Sequence, residues 1–324
     1  MKLLVAATVL AGFLVGPAYT QQPQPAPVQT RLIVNVSNGT AGGSDVTDDI
    51  VVLDLIHHDQ VITTLEAVVD TNGQAVFEKV YAGHNFVAIA RTRHNDMMFH
   101  GHPVELIPGP QINTTLEVYD TSDDTSKLTV LIHHFIVKAS GDQLTIREFM
   151  MIRNPSDTAI LSKERDSQDR PIVLKILLPR GYKNLTPLEY LEQQAIVETE
   201  DGFHDTMAIP PGEYKIHFAY NLDITSAQMQ ISKKISLPTS RFMLFTELAQ
   251  AKLTGLGTPN YMTQQDGTRT RYYTRRNLKP ADEIAFQLTG FNVSKSHYST
   301  WVILTVTFGA VFVLAICRLI SKKP

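Results

Sequence analysis

The hydrophobic residues of this chain form two long apolar runs near its ends and many short runs between them. The short runs lie between residues 31 and 291, are rich in valine, isoleucine, leucine and phenylalanine, and are separated by Gly, Pro, Asn and Asp. None of them continues into a long segment with the 3.6-residue period of an amphipathic helix. Short apolar runs with regular turn signals are typical of antiparallel sandwiches. The pattern predicts an all-β chain of two consecutive β-sandwich domains, the second immunoglobulin- or fibronectin-like, followed by one transmembrane α-helix.

The C-terminal apolar run predicts that helix at residues 298–320. From Trp301 the run carries no charge until Arg318, and about 20 apolar residues in a helix cross the hydrocarbon core of a bilayer. Aromatic rings favour the headgroup region, and positive charge favours the cytoplasmic side. The expected anchor residues are Tyr298 and Trp301 at the outer end and Arg318, Lys322 and Lys323 at the inner end. Residues 321–324 are then a cytoplasmic stub.

The N-terminal apolar run predicts export. Lys2 precedes a short apolar segment that ends in small residues, which is the pattern of a secretory signal peptide at residues 1–20. An uncleaved N-terminal anchor is the alternative. Residues 21–30 are rich in Pro and Gln and predict a flexible lead-in. Signal peptide and C-terminal helix together predict a single-pass membrane protein with most of its chain outside the cytoplasm.

Composition narrows the compartment and the partners. The formal net charge is −3, which does not favour nucleic acid or a strongly anionic surface. The single cysteine, Cys317, falls inside the predicted membrane helix. An exported chain without other cysteines has no disulfides and depends on its hydrophobic cores, which is commoner in bacterial envelopes than in animal ectodomains. We therefore expect the inner (cytoplasmic) membrane of a bacterium, with the bulk of the chain in the periplasm.

The first predicted domain covers residues 31–119. Its run from Ile50 to His57 is almost continuously apolar, which predicts a strand covered on both faces. The segment from Asp70 to Gly73 contains Asn-Gly, and that dipeptide favours a tight hairpin turn.

A family resemblance rests on two segments of this domain. The segments are Asp70-Thr-Asn-Gly-Gln-Ala-Val-Phe77 and Tyr81-Ala-Gly-His-Asn-Phe-Val-Ala-Ile-Ala90. They resemble the G-x-F and G-x-Y-x-v-x-a pattern of carboxypeptidase-regulatory-like domains, with Phe86 where the family often has Tyr. The resemblance implies a small transthyretin-like sandwich of the kind found in exported bacterial proteins. Such domains resemble accessory modules of peptidases and imply no catalysis.

The second predicted domain covers residues 127–291, after a polar linker at residues 120–126. About nine strand candidates predict an immunoglobulin-like sandwich with an extra hairpin. Thr186, Pro187 and Glu189 have the spacing of a helix start, which predicts a short helix from Thr186 to Gln194.

Two groups of residues are candidates for binding. His94, His100 and His102 lie close together with two methionines, and His100 and His102 share one face if they lie on a strand. Imidazole and thioether ligands suit a metal such as copper, although exposed histidines without metal are the simpler interpretation. Arg269, Arg271 and Tyr273 alternate on a predicted strand and form a candidate partner-contact face, with a solvated strand face as the alternative.

No pattern of residues predicts catalysis. The sequence has no Gly-x-Ser-x-Gly, no HExxH and no phosphate-binding glycine loop, so we expect no enzyme and no cofactor. The favoured function is an accessory or scaffold subunit that docks on the periplasmic face of an integral membrane complex, such as a respiratory or photosynthetic assembly. A surface adhesion or peptide- and glycan-binding module and a His/Met metal-binding protein are the alternatives.

Overall fold

The computed structural model describes residues 28–189, 191–247, 251–263, 267 and 269–291. These residues form β-strands joined by turns and loops, as the all-β prediction requires, and they divide into two units. The first unit contains residues 28–38 and 44–118, and the second contains residues 39–43 and the described residues from 119 onward. Within this part of the chain, no helix is long and apolar enough to cross a membrane. The predicted signal peptide at 1–20, the predicted helix at 298–320 and the stub at 321–324 lie outside the described residues.

The first unit consists of two sheets. Its strands are β1 (Val28–Asn38), β2 (Ile50–His57), β3 (Gln60–Val68), β4 (Gln74–Ala82), β5 (Phe86–His94), β6 (Met97–His100), β7 (Val104–Glu105) and β8 (Gln111–Val118). One sheet has the order β4-β1-β8, and the other has the order β3-β2-β5-β6, with β7 beside β5. Leu32 and Val34 of the first sheet and Leu53 of the second are fully buried. Both sheets thus bury one face, as in a β-sandwich.

Two local predictions for this unit are wrong. The turn from Asp70 to Gly73 does not close a hairpin, because β4 pairs with β1 while β3 pairs with β2. The turn instead carries the chain from one sheet to the other, and the Asp70 side chain accepts hydrogen bonds from the backbone N–H groups of Asn72 and Gln74. The predicted lead-in of 21–30 also ends too late, since β1 begins at Val28 and Thr30 is buried with its hydroxyl bonded to a backbone carbonyl.

The strand β2 is buried on one face only, whereas the sequence predicts burial on both faces. Val51, Leu53 and Leu55 on one face are fully buried, as the core requires. The opposite face is not covered, because Ile50 is 52% exposed and the other residues of that face are partly exposed. The prediction of a strand covered on both faces is therefore wrong for the chain as the structure describes it.

The second unit contains the remaining strands. They are β9 (Thr121–Ser122), β10 (Thr129–Ser140), β11 (Gln143–Asn154), β12 (Ala159–Ile160), β13 (Leu174–Leu177), β14 (Lys183–Glu189), β15 (Ile196–Thr199), β16 (Gly202–Asp205), β17 (Gly212–Asp223), β18 (Gln228–Lys234), β19 (Thr239–Glu247), β20 (Lys252–Thr254), β21 (Asn260–Thr263), β22 (Arg269–Leu278) and β23 (Glu283–Thr289). Short 3-10 turns lie at Thr125–Lys127 and Gln193–Ala195.

A seven-stranded sheet is the framework of this unit. Its order is β14-β17-β11-β10-β19-β22-β21. Two three-stranded sheets, β13-β16-β15 and β18-β23-β20, bury their apolar residues in the same core, and β9 pairs with β12. The core is rich in aromatic rings, with Phe203 edge-on to Phe218 at 5.1 Å and Phe135 edge-on to Phe286 at 6.1 Å. Edge-to-face contacts of this kind add to the stabilisation from burial.

Pairing with neighbouring strands overrides two further predictions. The predicted linker of 120–126 is part of this unit, because β9 pairs with β12 and Asp124 accepts a hydrogen bond from the backbone N–H of Ser126. The predicted helix from Thr186 to Gln194 is wrong, since Thr186 and Pro187 lie on β14 and pair with β17. β14 is an edge strand, and proline is tolerated at an edge because its missing N–H removes no bond that the sheet needs.

Gly202 is the glycine whose replacement we expect to be most damaging. A Cβ atom at this position would lie 2.0 Å from the carbonyl oxygen of Ile176 on the paired strand β13, and the φ angle is +150°. We expect Gly202→Ala to lower the free energy of unfolding by about 3 kcal/mol, because neither backbone can move without breaking the pairing. The measurement is chemical denaturation of the full chain.

Gly141→Ala is the matched control. Gly141 also has a positive φ, +62°, but open space surrounds the position of its Cβ. Its replacement should cost only the backbone strain, about 1 kcal/mol. Equal losses for the two variants would contradict the steric explanation.

Candidate functional site

The structure does not bring the three predicted metal-binding histidines together. His94 ends β5 and is buried, whereas His100 ends β6 and His102 lies beyond that strand, both exposed. Because β6 stops at His100, the shared strand face expected for His100 and His102 does not exist. Among the described residues, no three His, Cys, Asp or Glu side chains are placed to hold a metal ion. Metal binding at these residues stays a prediction without a formed site.

His94 belongs instead to a polar constellation within the first unit. Its Nδ1 lies 2.7 Å from Oδ2 of Asp49, and its Nε2 lies 2.8 Å from Oγ of Ser44. The imidazole is 2% exposed, the Asp49 side chain is 18% exposed, and Ser44 is exposed. A carboxylate, a buried imidazole and an accessible hydroxyl therefore lie in one hydrogen-bonded row.

Two asparagines complete this constellation. Nδ2 of Asn38 lies 3.2 Å from Nε2 of His94 and also donates to the backbone carbonyl of Ser44 at 2.9 Å. Nδ2 of Asn95 donates to Oγ of Ser44 at 3.2 Å. Asn95 has a φ of +50° in the turn between β5 and β6, a conformation that asparagine adopts more readily than most residues. These contacts hold the loop that carries Ser44 against the end of β5.

Sequence reasoning missed this constellation because its members are far apart in the chain. Ser44 and Asp49 precede His94 by 50 and 45 residues. Ser44 follows Gly42 and Gly43 in a loop and is not part of a Gly-x-Ser-x-Gly segment. The pairing of β2 with β5 brings the loop before β2 next to the end of β5, and no local pattern reports that pairing.

The predicted partner-contact residues differ in exposure. Arg269 is exposed and its guanidinium stacks over the ring of Tyr261 at 4.2 Å from the centroid. Arg271 is half-buried, and Tyr273 is buried in the core opposite Leu244 of β19. The prediction that Tyr273 faces a partner is wrong, because its side chain is buried in the core and does not contribute to an exposed face. A contact role for Arg269 and Arg271 stays a prediction.

The outer face of the sheet β3-β2-β5-β6 is unusually apolar for an exposed surface. Val61 is 60% exposed and Val68 is 58% exposed, both on the edge strand β3. Val61 pairs with Ile56, which in turn pairs with Val87 on β5, so the apolar side chains are neighbours across three strands. The aliphatic residues of this outer sheet face are Ile50, Val52, Ile56, Val61, Val68, Val87 and Ile89.

One ion pair lies among these aliphatic residues. Nε of Arg91 donates to Oδ2 of Asp54 at 2.9 Å, and the hydroxyl of Thr64 donates to Oδ1 at 2.8 Å. The hydrogen bond from Arg91 lowers the pKa of Asp54, so the carboxylate stays ionised at neutral pH. Contiguous exposed apolar patches near polar residues often mark interaction surfaces, whereas single exposed apolar residues do not.

The second unit contains a buried charged network that reaches no surface. Glu148 on β11 is fully buried, and Oε2 accepts from Nε2 of His133 at 2.6 Å while Oε1 accepts from the Tyr220 hydroxyl at 2.7 Å. Nζ of Lys233 lies 2.7 Å from Oε2 and 2.9 Å from Oε1, and it also donates to the backbone carbonyl of Leu177 at 2.7 Å. Each of the three ammonium protons of the lysine therefore has an acceptor within hydrogen-bond distance.

The network keeps Glu148 ionised. Burial by itself raises the pKa of this carboxyl, but the charge of Lys233 and the hydrogen bond from His133 outweigh it and lower the pKa to about 2. Burial lowers the pKa of His133, which is therefore a neutral donor. His133, Tyr220 and Lys233 are each 1% exposed. Perturbed groups of this kind often mark active sites, but without access to solvent this network is architectural.

Two other polar features of the second unit are less distinctive. A cavity of about 420 Å³ lies between β17 and β18 and is lined by Arg180, Lys183 and Asp223 among others. Nζ of Lys183 already pairs with Oδ2 of Asp223 at 2.6 Å.

Asp205, at the end of β16, is 6% exposed, and Oδ1 accepts from the backbone N–H of Met207 at 2.9 Å. Burial, assisted by the charge of Glu192, raises the pKa of Asp205 to about 6.

The predicted membrane anchor residues lie outside the described residues. They are Tyr298, Trp301, Arg318, Lys322 and Lys323.

Comparison with known proteins gives no family. Neither the family models nor the curated proteins contain a match to this chain. Among solved structures, the M1 zinc metallopeptidase from Deinococcus radiodurans is similar at 14% sequence identity and a TM-score of 0.28. A mutant of that peptidase bound to a Tyr-Ser-Ala substrate gives a TM-score of 0.29. The similarity covers 50% of this chain and 42% of the peptidase chain, less than half of the peptidase's length.

We expect Lys233→Met to be among the most destabilising single substitutions in the second unit. The substitution leaves Glu148 charged and buried without its cation, which should lower the free energy of unfolding by about 3–5 kcal/mol. The double variant Glu148→Leu/Lys233→Met removes both charges and should be clearly more stable than Lys233→Met alone. The measurement is a double-mutant cycle by chemical denaturation. Additive losses in the double variant would show that the two charges do not interact.

The raised pKa of Asp205 predicts a specific pH dependence. The unfolded chain ionises this group near pH 4 and the folded chain near pH 6, so stability falls as pH rises between these values and is level above them. Asp205→Asn keeps the acceptor for Met207 and removes the ionisation. At each pH, the unfolding free energy of the variant is subtracted from that of the parent chain. This difference should fall by a value on the order of 3 kcal/mol between pH 4 and pH 7. A flat difference would mean that Asp205 is not desolvated.

Proposed function

We propose that this chain is an accessory or scaffold protein whose first unit docks on another protein through its outer sheet face. As a scaffold it needs no cofactor. Following the sequence, we place it in the inner membrane of a bacterium, with both units in the periplasm and an integral membrane complex as the partner.

The outer sheet face is the observation that carries the proposal. The run from Ile50 to His57 has the composition of a strand covered on both sides, yet one side is open in the described chain. A second protein on that side would give Ile56 and Val87 the environment that their composition predicts. At ~25 cal/mol per Å², covering several half-exposed aliphatic side chains contributes several kcal/mol to association.

The edge strand β3 adds a second mode of contact. β3 is the last strand of its sheet, and an edge strand presents backbone N–H and C=O groups that an extended partner segment can pair with. Val61 and Val68 near its ends are exposed and would flank such a segment.

We also propose that the first unit is a carboxypeptidase-regulatory-like sandwich. Several positions of the resemblance have the environment that the family pattern implies. Gly73 has a φ of +75°, and a Cβ there would lie 2.8 Å from the backbone oxygen of Val36. Phe77 and Phe86 are both buried in the core. These contacts support the resemblance, and the accessory role of such domains agrees with docking.

Affinity capture from the native membrane tests the proposed docking. The full chain should retain stoichiometric integral membrane proteins after mild detergent extraction, and Val61→Lys/Val68→Lys should retain less than a tenth as much. Lysine is tolerated at a sheet edge but opposes burial against a partner. Leu188→Lys is the matched control, since Leu188 is 48% exposed on an edge strand of the second unit, and it should bind as the parent does.

Two outcomes would contradict the docking proposal. The parent chain could emerge alone from the membrane, or the Val61→Lys/Val68→Lys variant could retain the same proteins as the parent. Circular dichroism of each variant confirms that the fold is intact.

A further inference from the structure

The constellation at the end of β5 has the connectivity of an activated nucleophile. Ser44 Oγ, His94 Nε2, His94 Nδ1 and Asp49 Oδ2 follow one another through hydrogen bonds of 2.8 and 2.7 Å. In serine hydrolases the imidazole takes the hydroxyl proton while the carboxylate orients the imidazole and stabilises its charged form. Geometry and roles define such a triad, and sequence order does not.

The partners of His94 fit the tautomer that this chemistry requires. Asp49 is an acceptor beside Nδ1, so Nδ1 carries the proton. On the other side, the Ser44 hydroxyl and the Asn38 amide are donors directed at Nε2, so Nε2 offers its lone pair. The neutral imidazole is thus held with its basic nitrogen toward the hydroxyl.

Exposure and burial are also arranged as nucleophilic attack requires. Ser44 is exposed on its loop, while His94 beneath it is 2% exposed. A buried imidazole loses little orientation between turnovers, and an exposed hydroxyl can meet a substrate. Nδ2 of Asn95, 3.2 Å from Oγ of Ser44, places an amide donor beside the reacting oxygen. That hydrogen bond holds the Ser44 hydroxyl in place beside the imidazole.

We propose that Ser44 is the nucleophile of an acyl-transfer site in the first unit, with His94 as general base and Asp49 as the residue that orients it. The proposed substrate class is a small ester, which can reach Ser44 because the serine is exposed. This activity goes beyond the docking function and does not depend on it.

The reaction is a balanced ester hydrolysis. As Oγ of Ser44 forms a bond to the ester carbonyl carbon, the hydroxyl proton passes to Nε2 of His94. The ester C–O bond then breaks, and the leaving alcohol takes that proton. Water attacks the acyl group in the same manner, its proton passing through His94 to Ser44, so that one ester and one water give one acid and one alcohol.

A fluorophosphonate reagent tests the nucleophile in the purified full chain in detergent. We expect a single covalent adduct, located at Ser44 by peptide mass spectrometry, and no adduct in Ser44→Ala. Ser37→Ala is the matched control, because Ser37 is another exposed serine of the same unit, and it should react as the parent does. Asp49→Asn should slow the modification at least 100-fold, since it removes the charge that orients and stabilises the imidazole.

Turnover of p-nitrophenyl acetate gives a second readout. The parent chain should release a burst of one p-nitrophenol per chain, which Ser44→Ala abolishes. If the three residues only hold the loop, Ser44→Ala and Asp49→Asn will lower the thermal stability of the chain. In that case the parent chain will show no adduct and no burst, or the variants will show the same adduct and burst as the parent. Either result overturns the proposal, and so does an adduct located on another residue. Because Ser44 is exposed, Ser44→Ala should fold even if Asp49→Asn does not.

Discussion

The second unit depends on one ionised carboxylate buried among its sheets. Glu148 belongs to the seven-stranded sheet, Lys233 to the sheet β18-β23-β20, and the carbonyl of Leu177 to the sheet β13-β16-β15, so the carboxylate and the ammonium connect all three. Each charge would be costly to bury alone, and together with the donors His133 and Tyr220 they leave no obvious polar group unmatched. A one-residue slip of β11 or β18 would move a charge to the wrong face, so the network also opposes misregistered pairings.

The two units thus use their polar residues in opposite ways. In the second unit the strongly perturbed groups around Glu148 are sealed in the core and act on the fold alone. In the first unit the polar constellation of Ser44, Asp49 and His94 opens to solvent at Ser44, and the aliphatic face around Val61 is exposed. The docking and the chemistry that we propose therefore both belong to the first unit, and the core of the second provides a stable framework.

Local patterns in the sequence predict the strands well and their neighbours poorly. The β-rich runs are sufficient for the all-β class, because alternation and turn residues are local properties. The sequence of the turn at Asp70 does not distinguish a hairpin from a connection between two sheets, because both use the same tight turn. The sequence around Pro187 has the local pattern of a helix start, whereas its pairing with β17 is not a local property. Ser44 and His94 are brought together only by strand order. Lys233 occupies an inward position between Ile231 and Ile235, but a lysine is normally exposed, and the sequence does not reveal the buried carboxylate that pairs with it.

The most direct measurement is the carboxyl ¹³C resonance of Glu148 in the full chain as a function of pH, assigned by its disappearance in Glu148→Gln. The structure predicts that this resonance keeps the chemical shift of an ionised carboxylate down to about pH 3, because Lys233 and His133 hold its pKa near 2. Ordinary glutamates titrate at about pH 4.3 in the same spectra and serve as the internal reference. Titration of Glu148 at or above that value would contradict an ionised carboxylate among the sheets.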